Sequence, residues 1–539
     1  MITFTPRKSH FDIENDESRK NEFRGFFTLF WISMFLSAVS TYVRSIERTG
    51  MPLPFDFLSL FSQDALSLAL SDFAVVLSTG LAVPFVKAIK NGWIRYYWVG
   101  VVIQHLWQTT LLLVVISWTF QRNWPWVQSG YLTLHTLVMI MKVHSYVATN
   151  GYLQWVDKQA QSTLKHLHSL AETSDGSYEA AIEVAKAHRK ELDAASHAST
   201  TPQSMSSISI GTPTLADGVT ATYISPSAAL AIREQIHMAT PSLPMKNSSS
   251  SNSPRAPPPP PLKIMDTASV RKPAGMHPLS DHPDEKIAGL AKEYSEMESE
   301  LVSTGPEYVR WPENVTYKNF AVYQLIPTLV YELEYPRTDR IRPLYVFEKT
   351  VATFGTFALL YTVTESFILP LTPSPDQSFW RSLLDLSIPF MVAYLLLFYI
   401  IFECICNGFA ELSYFADRQF YDDWWNSTSW DEFSRKWNKP VHTFLLRHVY
   451  ASTISSYKLS RQSAMFVTFL LSAAVHELVM AIVTKKIRMY LFVMQLAQIP
   501  LIAVGRLPFI KRNKLMGNIV FWIGLYAGFP LLCVAYCAY

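Results

Sequence analysis

Residues 25–43 read GFFTLFWISMFLSAVSTYV, a run without a single charged side chain. A helix needs roughly 20 mainly apolar residues to cross a ~30 Å hydrocarbon core, because every backbone N–H and C=O must be satisfied within the segment. This run has that length, and eight others follow it: 70–89, 98–120 and 126–147 before a long polar stretch, then 347–369, 385–407, 463–483, 488–504 and 517–538. The pattern specifies an all-α, polytopic integral membrane protein with about nine transmembrane helices. The two weakest runs are 126–147, which carries His135, Lys142 and His144, and 488–504, which is short. The polar start and the lack of a small-residue cleavage site after the first run mark that run as an anchor rather than a secretory leader.

The 539 residues are 49% hydrophobic, 14% aromatic and only 17% charged, so the apolar excess sits in these runs. Lys and Arg number 46 against 43 Asp and Glu, a balance of +3 that offers no electrostatic footprint for nucleic acid. Cys404, Cys406, Cys533 and Cys537 lie in or beside apolar runs without paired-ligand spacing, which reads as free thiols and no metal site. Lys and Arg in short loops favour the cytosolic side, and Arg7, Lys8, Arg19, Lys20 and Arg24 place the N-terminus there. Lys485, Lys486 and Arg488 then fall on the lumenal side and break the alternation.

The expected organisation is a cytosolic tail over 1–24, four membrane helices over 25–148, a disordered cytosolic loop over 160–305, and five helices over 306–539 with a catalytic region at 420–480. The loop is rich in Ser, Thr, Pro and Ala, with the runs SSSSNSP and APPPPP, and such a composition cannot offset its ordering entropy. Within it, 178–195 and 284–301 have Ala, Glu and Lys in helix-favouring density and are expected as transient helices. Sequons at Asn247, Asn314 and Asn426 all fall on the cytosolic side and read as chance matches.

Two features carry chemistry. The first is the heptad Phe420-Tyr421-Asp422-Asp423-Trp424-Trp425-Asn426, in the loop between the sixth and seventh runs. Aromatics of this kind gather at membrane surfaces for packing reasons alone. Here, however, an amphipathic stretch from Trp430 to Tyr450 follows, with Asn438 and His442 four residues apart and Arg435 about a turn earlier. Pro440 requires a helix carrying both to start or kink near that point. The second is His476 inside FVTFLLSAAVHELVMAIV, since an ionisable side chain within a spanning helix is costly and is a functional candidate by default. Glu477 beside it strengthens that reading. Position 480 is Met, so the zinc-protease pattern His-Glu-x-x-His is not present.

FYDDWWN, WNKPVH at 437–442 and VHE inside a membrane helix resemble the membrane-bound O-acyltransferase family, in its branch of sterol and diacylglycerol acyltransferases. MKVHSY at 141–146 and WPENVTYKNF…PTLVYELEYPRTDRIRP over 311–343 resemble the sterol enzymes, and 415–483 looks most like the fungal ones. The resemblance implies that His476 is the catalytic histidine and Asn438 its partner across a reaction chamber. It further implies that Arg435, Asn438, His442, Tyr450, Arg461 and Ser472 contact coenzyme A, and that the heptad shapes the cytosolic mouth of the donor tunnel. Arg461 stands where animal relatives have lysine, which keeps the cation and changes its geometry. An endoplasmic reticulum membrane, a homodimer or dimer of dimers, membrane lipids as surroundings, acyl-CoA as co-substrate, a sterol as acceptor and no further cofactor are also implied.

A sterol hydroxyl must lose its proton as it attacks a thioester, and a positioned base is worth roughly 10²–10⁴ in rate. His476, expected to be enclosed in an apolar chamber, is the candidate base; Asn438 either donates to the thioester oxygen or orients the imidazole, and the sequence leaves both open. No Ser or Cys nucleophile sits in a recognisable elbow, which favours direct transfer. A diacylglycerol acceptor within the same family is the nearest alternative. From another class, a membrane lipid transporter or sterol-binding receptor stays open, although no internal repeat of the kind transporters often show is found, and a prenyltransferase would need a second acidic motif beside Asp422 and Asp423.

Overall fold

The protein is seen in a computed structural model that describes residues 4–12, 15, 24–52, 62–198, 276–305, 307–373, 377–508 and 513–538. In chain order the helices are α1 (Arg24–Thr49), α2 (Ala65–Thr79), α3 (Ala82–Lys90), α4 (Val101–Gln121), α5 (Trp126–Asp175), α6 (Tyr178–Ala198), α7 (Glu285–Glu300) and α8 (Tyr317–Leu325). There follow α9 (Pro343–Val363), α10 (Phe379–Phe398), α11 (Cys406–Leu412), α12 (Trp430–Trp437), α13 (Lys439–Phe444), α14 (Ser452–Tyr457), α15 (Arg461–Thr484), α16 (Tyr490–Leu496), α17 (Gln498–Gly505) and α18 (Lys514–Ala538). Among the described residues the extended backbone contributes only two isolated bridges, Arg7 with Asp417 and Arg337 with Phe415.

Seven helical stretches among the described residues are long and apolar enough to cross a membrane: Gly25–Thr49, Ala65–Lys90, Tyr96–Gln121, Pro343–Leu371, Phe379–Leu412, Arg461–Thr484 and Lys514–Tyr536. They turn large apolar side chains outward, as Phe26, Leu29 and Phe35 do on α1, which is the surface a lipid environment covers. Two of the nine expected spans differ. The run 488–504 is two helices, α16 and α17, each shorter than a span, with α16 preceded by Met489 in the left-handed region. The run 126–147 is the first part of α5, a helix of 50 residues whose inward side is polar: Gln128, Ser129, Thr133, Thr136, Lys142, Ser145 and Asn150 are all buried. These polar groups lower its hydropathy, and several of them are matched inside the protein. Lys142 donates from Nζ to the carbonyls of Tyr323 (2.9 Å) and Ile326 (2.8 Å), Ser145 Oγ accepts from Tyr331 N (2.8 Å), and His135 bonds Asp72 on α2. Asn314, whose sequon read as chance, is buried and donates to Asn150 Oδ1 and the Tyr331 hydroxyl, both at 2.9 Å.

The chain forms two compact units, Met1–Gln154 with Val309–Tyr539, and Trp155–Tyr308. The second corrects the expectation of a disordered loop at both of its ends. There Leu167, Ala171, Ala181, Ala185, Leu279, Ile287 and Ala291 form a common core. His282 Nε2 meets Asp175 Oδ2 at 3.1 Å, and the Tyr178 hydroxyl meets His277 Nε2 at 3.0 Å. The segments expected as transient helices lie in α6 and α7, whose Ala and Ile positions one turn apart supply burial that an average over the whole stretch conceals. The reading of 199–275 as disordered, Asn247 included, concerns residues outside the described ones.

In the first unit, residues 4–12 lie directly on 415–422. Arg7 N donates to Ala416 O (3.1 Å), Arg418 N to Arg7 O (2.9 Å), and the Arg7 guanidinium grips Asp417 through Nε (2.9 Å) and Nη2 (2.7 Å). Two stretches in contact lie on one face of the membrane, so an even number of crossings separates them. Five of the seven apolar stretches fall between, and the run 126–147 at the start of α5, expected from the sequence as a span, makes the number even. In a cysteine-free background, cysteines placed singly at Lys8 and Asn426 are therefore expected to show the same accessibility to an impermeant thiol reagent on sealed microsomes. Labelling of one without detergent and of the other only after permeabilisation would refute the shared face.

Candidate active site

The heptad divides by polarity. Phe420, Tyr421 and Trp424 are buried, and Trp424 sits among Phe398, Trp437 and Trp522 at ring-centroid distances of 5.3, 4.9 and 5.9 Å. The Tyr421 hydroxyl donates to Glu403 Oε2 at 3.0 Å. Trp425 packs edge-on to His10, and its carbonyl accepts from Asn518 Nδ2 (3.0 Å) and Trp522 Nε1 (3.1 Å) of α18. Asn426 is exposed, its amide donating to Asp423 Oδ2 at 3.3 Å. An interfacial belt would leave the rings at the surface; these are core.

The two carboxylates face the α12–α13 corner. Asp423 Oδ1 meets Lys436 Nζ at 2.8 Å, and Asp422 Oδ2 meets Lys439 Nζ at 3.8 Å. Two backbone bonds reinforce the ion pairs: Asp422 N donates to Lys436 O (2.8 Å) and Lys439 N to Phe420 O (3.0 Å). His10 Nε2 donates to Asp422 Oδ1 at 3.2 Å, and this bond is the largest of the influences that hold the Asp422 carboxyl down at about 2. Lys436 and Lys439 flank Asn438, so the heptad's acids fix the corner that presents it.

At that corner Asn438 ends α12 and caps α13, its Oδ1 accepting from Val441 N at 3.2 Å. Pro440 occupies the first turn of α13, where an N–H has no helical partner anyway, so the helix restarts here as the sequence required. With Oδ1 engaged in the cap, the amide N–H₂ is the group Asn438 has left to donate. Arg435 pairs with Asp431 at 2.9 Å, and both are solvent-accessible. His442 lies on α13, where burial first and Arg435 second lower its pKa, so its ring is neutral near pH 7. Tyr450 lies half-buried on a π-helical segment, Leu445–Ala451, that packs against α15; such segments recur at functional sites.

Arg461 is the exposed first residue of α15, and Ser472 and His476 lie a turn apart further along it. His476 Nδ1 meets the Ser472 carbonyl at 2.7 Å and the Ser472 hydroxyl at 3.5 Å. A carbonyl only accepts, so Nδ1 carries the proton and Nε2 of the neutral ring is bare. The expected enclosure of His476 is corrected: its side chain is solvent-accessible, on the side of α15 that carries Ser472 and Ala473 and roughly opposite Leu470, Leu471 and Ala474. Among the described residues no hydrogen bond joins His476 to Asn438.

Glu477 is corrected as well. Buried on the other side of α15, its Oε1 accepts from Met489 N (2.7 Å) and Arg488 N (3.3 Å), and its Oε2 from Phe492 N (3.2 Å) and the Tyr536 hydroxyl (2.9 Å). It anchors the start of α16 and the end of α18 and takes no part in His476's surroundings. The basic misfit at 485–488 has a local use too: Lys485 Nζ donates to Asn123 Oδ1 at 2.9 Å, and Arg488 donates to the Tyr536 carbonyl.

Two features escaped the sequence reading. One is the contact of residues 4–12 with the heptad, for which the sequence holds no signal. The other is Glu403, fully buried on a π-helical segment (Tyr399–Ile405), which accepts from Lys349 Nζ at 2.8 Å, Asn407 Nδ2 at 3.2 Å, Tyr421 and Ser9. Opposite charges inside two apolar runs were the signal for that pair.

Residues 92–538 match the membrane-bound O-acyltransferase family, and the chain belongs to that family. Among its relatives, a probable sterol O-acyltransferase 1 of Schizosaccharomyces pombe is 34% identical over 99% of this chain and 85% of its own length. A sterol O-acyltransferase 2 of Candida albicans is 32% identical over 99% of this chain and 78% of its own. A diacylglycerol O-acyltransferase 1-2 of rice is also 32% identical, but over 45% of this chain and 51% of its own.

Breaking a buried ion pair by removing one partner costs about 3–5 kcal/mol, because the other charge is left unpaired. Lys349→Met is therefore expected to lower the melting temperature of the detergent-solubilised protein by several degrees, and to lower activity with it, since Glu403 also holds Tyr421. An unchanged melting temperature would show that Lys349 does not support Glu403.

Proposed function

We propose that this protein transfers a fatty acyl group from acyl-CoA to the 3-hydroxyl of a sterol, within the endoplasmic reticulum membrane and with its heptad facing the cytosol. The observation that carries the reading is His476: a solvent-accessible histidine on a membrane helix, its Nδ1 committed to a backbone carbonyl and its Nε2 free to accept a proton. Near-full-length similarity to proteins named sterol O-acyltransferases supports the acceptor, whereas the diacylglycerol enzyme aligns with less than half of the chain.

In this mechanism Nε2 takes the sterol hydroxyl proton as the oxygen attacks the thioester carbonyl. The carbon–sulfur bond then breaks, the ester forms, and the imidazolium returns the proton to the departing thiolate, giving steryl ester and free coenzyme A. The Asn438 amide donates to the carbonyl oxygen as negative charge builds there, a role suited to a side chain whose own oxygen is occupied by the helix cap. Arg435, His442, Tyr450, Arg461 and Ser472 serve the coenzyme A head, which is too charged to cross lipid and enters from the cytosol. Direct transfer needs no cofactor beyond the co-substrate. The working assembly is a homodimer or a dimer of dimers.

Purified protein given labelled oleoyl-CoA with either a sterol or diacylglycerol is expected to form steryl ester; triacylglycerol as the main product would move the acceptor assignment to the sister branch. His476→Ala is expected to abolish ester formation while the protein stays folded and binds acyl-CoA, and retention of most activity would remove the base assignment. Asn438→Ala is expected to lower turnover more than acyl-CoA affinity, whereas an affinity loss at unchanged maximal rate would make it a donor-binding residue.

A further inference from the structure

The N-terminal segment Phe4–Asp12 has no task in the mechanism, yet it is built into the fold. Ser9 and Asp12 are buried at 1% and 4% exposure. Phe4 packs on Tyr335 and Phe415 at 5.3 and 5.9 Å, and Phe11 on Tyr421 and Trp425 at 6.2 and 6.0 Å. The Arg7 grip on Asp417 is joined by Thr5 N donating to Asp417 Oδ2 at 3.3 Å and Arg7 Nη1 to Gln419 Oε1 at 2.8 Å. Ser9 Oγ donates to Glu403, and Asp12 lies 3.6 Å from the Arg342 guanidinium. A polar tail free in solvent would make none of these contacts.

Between the buried Ser9 and the stacked Phe11 stands His10, its ring held 5.7 Å from Tyr421 and 6.3 Å from Trp425 and its Nε2 on Asp422. Asp422 in turn reaches Lys439 through its side chain and Lys436 through its backbone, the two residues on either side of the α12–α13 corner. We infer that Phe4–Asp12 is a strap that fixes the heptad, and that His10 is a positioning residue which sets Asn438 through Asp422 and the corner. The inference rests on the reading of Asn438 as a residue of the reacting site.

The physical basis is geometric. Asp422 Oδ1 accepts from Asp423 N at 3.0 Å within its own turn, and the Lys439 contact at 3.8 Å is an ion pair without a directed hydrogen bond, so His10 brings a directed donor to this carboxylate from outside the heptad. The N–H donated by His10 adds a second bond to the same oxygen and ties that turn to the N-terminal segment, and the bond's dominance in lowering the Asp422 pKa agrees with that arrangement. A corner that drifts by an ångström moves Asn438 and His442 together, and misplacement of that size can cost up to about 10²-fold in rate.

Full-length protein in microsomes, with the folded fraction read by fluorescence-detected size exclusion, tests this. Per folded enzyme, His10→Ala is expected to lower kcat/KM for oleoyl-CoA about 5- to 10-fold, mostly in kcat, with the sterol KM within about two-fold of wild type. His10→Gln, whose amide N–H₂ donates from near the place of Nε2, is expected to restore activity to within about two-fold. An unimpaired His10→Ala enzyme, a loss that glutamine does not restore, or a loss accounted for wholly by a smaller folded fraction would each overturn the positioning role. Asn438→Ala measured alongside separates the two failures. If it is as active as wild type, the reading of the site falls; if it is inactive while His10→Ala is unimpaired, only the strap falls.

Discussion

A carboxylate with no solvent contact must be paired and hydrogen-bonded or it unfolds its surroundings, and Glu403 is that constraint here. Its partners come from stretches far apart in the chain: Ser9 near the N-terminus, Lys349 on α9, Asn407 on α11 and Tyr421 in the heptad. The π-helical turn that carries Glu403 departs from regular α-helix where the chain has to aim this one side chain. From Tyr421 the order passes outward. The heptad's rings pack into the core, its acids turn to Lys436 and Lys439, and the corner between those lysines presents Asn438.

The spans were legible because lipid allows no unsatisfied backbone and few charges, so a long apolar run has one reading. Legibility failed where polarity had a partner inside the protein. Lys142 and Ser145 lower the hydropathy of α5 and make it a doubtful span, although each is satisfied by the 323–331 segment. The same effect hid the second unit, where alanines on one face of α6 meet Leu279 and Ile287 in a core that an average over Ser, Thr and Pro did not reveal. Composition reads the environment of a whole stretch, whereas packing is decided residue by residue.

For the candidate site, the sequence singled out His476 and the heptad, since an ionisable group in a span and a dense aromatic–acidic cluster are both costly without a purpose. It misjudged Glu477, whose cost is met by three backbone N–H groups and a tyrosine hydroxyl rather than by chemistry. Adjacency in sequence argued for a shared role; on a helix, neighbours point about 100° apart. The strap was out of reach for a different reason. Its contacts join residues some four hundred positions apart, and nothing in PRKSHF announces where it docks.

The separation of His476 from Glu477 has a chemical consequence for the proposed reaction. A buried carboxylate bonded to Nδ1 would hold the ring and also stabilise its cation, as in the serine-protease arrangement. The Ser472 carbonyl holds the same nitrogen with a dipole only. The ring is oriented and its tautomer set, yet the imidazolium that forms when the sterol proton arrives gains no neighbouring anion. In the proposed one-step transfer the next acceptor of that proton is the departing thiolate. Glu477, the adjacent carboxylate, is turned away from that ring and used to fasten α16 and α18.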